Sequence, residues 1–357
     1  DGRDAQRDVG ADPRTLALAL GSVQMFQRLG SWRDGVAQPI REVHVSQHGA
    51  SGAVHIRAAD EGVPMLGAVL RYGEIVAPLQ AVWLAAVAAE PERLAMRFGT
   101  RVEAIDHDGG SGATIRCEGM AAERFDLVVV AEGGVFADGR TRLPGGAPLR
   151  HDYRQTAWVG TATFERAPAP GVAFERFTAD GPVALLPLRD GRAALVWCVP
   201  SEADPVRELS EAQRSAVLND RLPAEAGRIV ELTPLKSFAL GLEAQRSLVQ
   251  GRILRIGNAA QTLHPVAGQG LNLGLRDAWT LVTALRRSKD LETTLRRLEW
   301  QRAADRWPMI AATDFLARSF TWRLPGAPTL RGAALGALER LGPAKSLLAR
   351  QMMFGSR

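Results

Sequence analysis

Apolar residues recur along this chain with more than one period, and the changes of period mark its elements. Residues 1–13 are polar and read as loop. Over 14–30, Leu16, Leu20, Val23, Phe26 and Gln27 fall at helical spacing and Gly30 offers a stop, so a helix is expected. Residues 41–58 alternate, with Val43, Val45, Val54 and Ile56 around the turn Gly49-Ala50-Ser51-Gly52, which predicts two strands. A second helix is expected over 74–89. A hairpin is expected from Arg101–Ile105 and Ala113–Cys117 around Asp108-Gly109-Gly110-Ser111-Gly112. Leu127-Val128-Val129-Val130 is apolar throughout, the pattern of a strand in a parallel sheet covered on both faces.

From about residue 151 the texture changes. Segments 157–164, 172–177, 183–188 and 193–199 are successive strand candidates with turn signals at Asp180-Gly181 and Arg189-Asp190-Gly191, which predicts an antiparallel sheet. A charged helix is expected over 204–220 and a long one over 289–320, with Pro308 as a place for a bend. The tail, 331–354, sets Ala334, Leu335, Leu338, Leu341, Leu347 and Leu348 against Arg331, Arg340, Lys345 and Arg350, as an interfacial helix would; a helix packed on its own domain is the alternative.

The most informative stretch begins after the apolar strand Ile253-Leu254-Arg255-Ile256. There Gly257-Asn258 leads through His264-Pro265 to Gly268-Gln269-Gly270-Leu271-Asn272, and a helix follows with Leu271, Leu275, Ala278, Val282 and Leu285 on one face. Strand, glycine-rich loop and helix N-terminus together present unsatisfied N–H groups and the positive end of the helix dipole. Gly268 and Gly270 remove side chains, so a ligand can approach the backbone closely.

This block resembles the second flavin-binding motif of the aromatic-ring flavoprotein monooxygenases of the p-hydroxybenzoate hydroxylase type. Within them it is most similar to the ubiquinone-biosynthesis hydroxylases, the 2-octaprenyl-6-methoxyphenol hydroxylase group in particular. Asp12-Pro13-Arg14-Thr15-Leu16-Ala17-Leu18, Ala173-Phe174-Glu175-Arg176-Phe177, Gly181 to Leu188 and Ala312-Thr313-Asp314-Phe315-Leu316 fit the same family.

The resemblance implies an α/β fold: a Rossmann-like FAD-binding sheet, an inserted antiparallel β-sheet substrate domain and C-terminal helices. Its parts would be 1–150 (FAD-binding, first part), 151–250 (substrate domain), 251–290 (FAD-binding, second part) and 291–357 (helical). The family's opening Gly-x-Gly-x-x-Gly turn, which holds the pyrophosphate, has no counterpart in this sequence, and the segment matching Asp12-Pro13-Arg14 follows that unit in the family. The expectation is a chain that starts after it and binds FAD more weakly.

By the same resemblance Gly257, Pro265, Gly268, Gln269, Gly270, Leu271 and Asn272 would border the flavin, their amides meeting the ring edge where negative charge gathers on reduction. Asn258 would bond the ribityl chain, with a turn residue as the alternative. Arg14 would serve the cofactor, with a plain surface arginine as the alternative. Glu132 stands where the family places an Asp that serves FAD and NAD(P)H. Phe174, Arg176, Pro187 and His264 would face the substrate; Trp197 reads as core. His264 also reads as a packing residue. Around Pro78 the chain lacks the Arg or Gln that the family directs at FAD. No general base is identifiable.

The implied activity is hydroxylation of a polyprenyl phenol in ubiquinone biosynthesis, with NAD(P)H as reductant and O₂ adding at the flavin C4a position as a hydroperoxide. A non-catalytic scaffold in a ubiquinone-synthesis complex and an FAD hydroxylase of a soluble phenol are the alternatives.

Composition changes this little. The 357 residues give one or two domains, and a formal charge of +5 suits cofactor phosphates or an anionic membrane face as readily as any other anion. No zinc-finger spacing or Lys-rich tail supports nucleic-acid binding. Cys117 and Cys198 form no metal spacing and read as reduced thiols, and no run of about 20 apolar residues predicts a spanning helix. The polar start is unlike a signal peptide, so a cytoplasmic location is expected, with the inner-membrane surface as a peripheral site.

Overall fold

The computed structural model describes residues 8–12, 14–107, 109, 111–132, 143–265, 268–288, 290–319 and 326–355. Its strands and helices, in chain order, are β1 (Thr15–Ala19), α1 (Leu20–Arg28), β2 (Gln38–Ile40), β3 (Glu42–Gln47), β4 (Ala53–Arg57), β5 (Gly67–Arg71), α2 (Tyr72–Ala89), β6 (Val102–His107), β7 (Ala113–Cys117), β8 (Glu123–Phe125) and β9 (Val128–Val130). There follow β10 (Leu149–Phe164), β11 (Val172–Phe177), β12 (Pro182–Pro187), β13 (Ala193–Pro200), α3 (Glu211–Arg221), β14 (Ile229–Leu232), β15 (Lys236–Ala244), β16 (Val249–Gln250), β17 (Ile253–Arg255), β18 (Gln261–Thr262), α4 (Gln269–Arg287), α5 (Leu291–Ser319), α6 (Ala327–Arg340) and α7 (Gly342–Phe354).

The dominant element is a nine-stranded sheet in the order β18-β15-β10-β13-β12-β11-β3-β4, with β14 also paired to β10. It is antiparallel as expected except at one seam, where β11 runs parallel to β3. The hairpin β3–β4 thus comes from far upstream to extend the sheet built by 149–250. One face carries Trp158, Phe174, Val183, Leu185 and Trp197, packed with Leu218 and Leu222 of the α3 segment. Trp197 is core, fully buried. A small sheet, β1-β5-β2, lies on the other side, where Ala17 and Val69 pack with Ala173, Leu186 and Leu188. Strands β16-β17-β9 form a third sheet, with β17 and β9 parallel, and β6-β7-β8 a fourth.

Several expectations are corrected. The helix expected over 14–30 begins only at Leu20. Residues 15–19 alternate as well as they repeat at helical spacing, and pairing with β5 (Leu18 opposite Ala68) settles them as strand. The helix expected over 204–220 begins at Glu211, because Ser210 and Gln213 form a capping box there, while Asp204 holds the amide of Val206 in a turn. Val129 is 39% exposed, so β9 is covered on one face only. On α4, Leu271 and Leu275 pack against α1, but Val282 and Leu285 are exposed and Leu273 and Leu281 take the core positions. The tail is two helices, broken at Leu341, with Gly342-Pro343 opening the second. Leu335, Leu338, Ala349 and Met353 pack with Val54 and Ile56 of β4, while Leu330 and Leu347 stay exposed. Pro308 sits inside a continuous α5. Of the described helices, α2 alone has the length and composition of a spanning segment, with mean hydropathy 1.4 and Val82, Trp83 and Leu84 exposed.

Candidate active site

The site is built where β17 ends. Gly257, at φ +57°, opens a short 3-10 turn, and its amide donates to Asp277 Oδ2 at 3.1 Å on α4. The turn and the helix touch: a Cβ on Gly274 would lie 2.9 Å from Gly257 Cα, so only glycine permits this approach. Asn258 is exposed on the turn. The chain pairs briefly as β18, passes His264 and Pro265, and enters α4 at Gly268, whose φ of +59° makes it a left-handed N-cap. Among the described residues no side chain caps the first turn of α4. A Cβ built on Gly270 would meet nothing within 4 Å, so open space lies beside that turn. A helix N-terminus with open space beside Gly270 fits the electron-rich edge of a flavin ring.

The frame behind this loop is ionic and buried. Asp277, Arg302, Asp305 and Arg306 are each under 5% exposed. Arg302 donates to Asp277 Oδ1 (2.7 Å) and Asp305 Oδ2 (2.8 Å), and Arg276 donates to Asp305 Oδ1 (3.1 Å). Gln261 donates to Asp277 Oδ2 at 3.1 Å and accepts from Arg306 Nε at 2.6 Å; Arg306 also binds the carbonyls of Ala260 and Gln245. Burial lowers the Arg306 guanidinium to about 10, still charged at neutral pH. The network clamps α5 to α4 and to the turn at 257–261. Asn272 does the same on the other flank: its Oδ1 accepts from Ala19 N and Ser22 Oγ, both at 2.8 Å, and its Nδ2 donates to the carbonyls of Ala17 and Gly268. Its side chain therefore binds protein and its amide lies inside the helix ladder, while the Gly268 amide donates to the Pro265 carbonyl at 2.9 Å, so these two expected flavin contacts are already used within the chain.

His264 is buried and neutral. Its Nε2 meets Gln155 Oε1 of β10 at 2.9 Å, and its ring stands edge-on to Tyr153, whose hydroxyl donates to Asp314 at 3.1 Å. Desolvation lowers its pKa to about 4, so it carries no exchangeable charge at pH 7 and pins the loop to the large sheet.

The other expected residues fall elsewhere. Arg14 is exposed, its guanidinium paired with Asp12 at 2.7 Å and stacked over Tyr72 at 4.4 Å. Glu132 is exposed at the end of β9, and its neighbour Gly133 lies outside the described residues. Phe174 and Pro187 lie on the α3 face of the large sheet, pointing away from the loop, and Arg176 donates from Nε to the carbonyl of Arg221 on that side. Alternation along β11 and β12 was legible in the sequence, but the face that looks inward was not. Pairing fixes it: the inward set is Ala173, Glu175, Ala184, Leu186 and Leu188. Glu175 is the inward residue that sequence reasoning passed over.

A cavity of about 450 Å³ opens on this inward side, between the sheets, lined by Thr15, Gln38, Val69, Arg71, Thr161 and Leu188 among others. Gly268 approaches it through β1: a Cβ there would lie 3.8 Å from Ala17, two residues from Thr15. At the rim Arg189 donates to the carbonyl of Gly35 at 2.7 Å and lies 3.7 Å from Glu74.

The comparisons with known proteins fit this geometry. Residues 4–290 match the family model described as an FAD binding domain, and the chain belongs to that family, in the group of ubiquinone-biosynthesis hydroxylases. It is thus an FAD-dependent flavoprotein of the monooxygenase class. The relatives include the ubiquinone hydroxylase UbiL of Rhodospirillum rubrum, 32% identical over 99% of this chain and 82% of that protein. The 3-demethoxyubiquinol 3-hydroxylase of Escherichia coli is 30% identical over 96% and 86% respectively. Among solved structures, p-nitrophenol 4-monooxygenase PnpA of Pseudomonas putida superposes with a TM-score of 0.74, covering 100% of this chain and 91% of that one at 15% identity. Klebsiella pneumoniae HpxO, complexed with FAD and uric acid, gives 0.70, covering 94% and 87% at 18% identity. At such identities these two speak for the fold.

Proposed function

We propose that this chain hydroxylates the aromatic ring of a prenylated phenol in ubiquinone biosynthesis, using FAD, NAD(P)H and O₂. The observation that carries the reading is the first turn of α4, which no described side chain caps, with open space beside Gly270 and a cavity under the large sheet whose lining mixes Val36, Val69, Leu70 and Leu188 with Arg71, Glu74, Arg189 and Arg192. Bound FAD supplies the redox chemistry, accepting electrons from the nicotinamide and activating oxygen. The chain's own part is to present the first-turn amides at Gly270 and Leu271 to the ring edge, to hold that loop through Asp277, Asn272 and His264, and to keep the reacting ring in a dry space. The prenylated substrate is proposed from the ubiquinone-biosynthesis relatives, UbiL and the 3-demethoxyubiquinol 3-hydroxylase.

A lipid-borne substrate calls for access to a membrane surface. Leu330 of α6, Leu347 of α7 and Leu341 between them are exposed, while Arg350 and Lys345 are paired with Glu61 and Glu339. An interfacial contact through these leucines is part of the proposal. The test is product formation: holoenzyme given NAD(P)H, O₂ and a prenylated phenol should yield a ring-hydroxylated product by mass spectrometry. Flavin binding and nicotinamide oxidation with no product would overturn the substrate assignment.

A further inference from the structure

The inward face of the large sheet holds one unusual row. Val159, Val196, Ala184, Glu175 and Val45 sit side by side on five adjacent strands, β10, β13, β12, β11 and β3, and each keeps accessible surface. Their neighbours of opposite parity, such as Trp158, Trp197, Val183 and Phe174, are fully packed. At the β3 end of the row Val45 packs with Leu335 and Leu338 of α6, while Glu175, Ala184, Val196 and Val159 share the face that carries Leu186 and Leu188. The row is aliphatic except for one carboxyl.

Glu175 is also close to the cofactor loop. It lies two residues along β11 from Ala173, on the same face, and Ala173 packs in one cluster with Ala17 of β1. Ala17 is the residue that Gly268 approaches. Packed side chains, Ala173 and Ala17, thus connect the face of β11 that carries the carboxyl with the N-terminus of α4. We propose, resting on the functional reading above, that Glu175 takes the phenolic proton of the ring being hydroxylated. The O–H bond of the phenol breaks, its electron pair stays on oxygen, and a new O–H bond forms on a carboxylate oxygen of Glu175. No oxidant or reductant is needed for this step. The resulting phenolate is the more electron-rich ring, which is what an electrophilic oxygen donor requires.

Desolvation raises the Glu175 carboxyl to about 8, near the pH at which a general base works best. Among the described residues burial alone accounts for that rise. β12 and β3 offer Ala184 and Val45, and β1 offers Ala17. The thiol of Cys198 on β13 feels the carboxylate and is itself pushed up by burial first. Arg331 of α6, on the same side at the end of β3, is engaged by Gln47 and by the carbonyl of Ser319.

The experiment compares wild type, Glu175→Gln and Glu175→Asp as FAD-loaded enzymes with 2-prenylphenol as probe. Two quantities are read: hydroxylated product per NAD(P)H oxidised across pH, and the ultraviolet phenolate band of the bound phenol without reductant. In wild type both should rise with pH through about 8. Glu175→Gln should lose the phenolate band and about 10²-fold or more in product formation at equal flavin content. Glu175→Asp should recover part of both. Wild-type coupling and phenolate band in Glu175→Gln would overturn the proposal and leave the functional reading intact. Should that variant not fold, a pH-independent phenolate band in wild type overturns it equally. A wild type that neither binds flavin nor oxidises NAD(P)H fails the functional reading itself, and this proposal with it.

Discussion

Arg302 donates from Nε to Asp277 Oδ1 across 2.7 Å, with both side chains almost wholly buried. The pair links α5 to the helix whose first turn faces the candidate flavin site, and Asp277 passes the constraint to the amide of Gly257. Through this pair α5 helps to hold α4 and the turn at Gly257 in place.

Removing one partner of such a pair strands the other charge. Asp277→Ala should cost about 3–5 kcal/mol of stability. Urea unfolding measures it; a loss below about 1 kcal/mol would mean that the network is not rigid or not dry.

The two glycines of α4 should respond in opposite ways. Gly274→Ala forces a Cβ to 2.9 Å from Gly257 Cα and should destabilise by about 1–3 kcal/mol. Gly270→Ala adds a methyl into open space on a helix and should be neutral or stabilising by up to about 1 kcal/mol. Equal losses at both positions, measured by thermal unfolding, would refute the close approach of turn and helix.

His264 sets an acid limit. Folded, it is held neutral down to about 4, whereas the unfolded residue takes a proton near 6.5. The unfolded state therefore binds more protons between these values, and stability falls as pH drops from 6.5 towards 4. A His264→Gln variant should show a flatter profile in that window; an unchanged slope would contradict the buried, neutral assignment.

Glu175 acts with the opposite sign. Its folded value near 8 exceeds the ordinary 4.5, so as pH rises from 4.5 to 8 the unfolded state loses its proton first and stability declines. Glu175→Gln should remove that decline and be more stable than wild type at pH 8. Parallel pH profiles for the two proteins would show that the carboxyl is well solvated.

Much of this was legible in the sequence. The glycine block fixed strand, loop and helix at 253–287, and the hairpin turns predicted β6–β7 and β11–β13. Where sequence reading failed, two patterns were consistent with the same residues. Leu16 and Leu18 suit a strand or a helix, and only β5 decides. Phe174 and Glu175 occupy opposite faces of one strand, and only the pairing with β12 and β3 says which looks inward. The ionic frame of Asp277, Arg302, Asp305 and Arg306 joins residues from two helices; charged positions on a helix ordinarily mean a solvated face, so nothing local marked them as buried.

The central claim is that the first turn of α4 cradles the flavin, and FAD titration of the flavin-free protein tests it most directly. Wild type should bind saturably, with the visible flavin band shifted from that of free FAD. Gly270→Val, which fills the space beside the turn, should lower affinity at least tenfold while unfolding at an unchanged temperature. Equal affinity in the two proteins would place the flavin elsewhere and contradict the account.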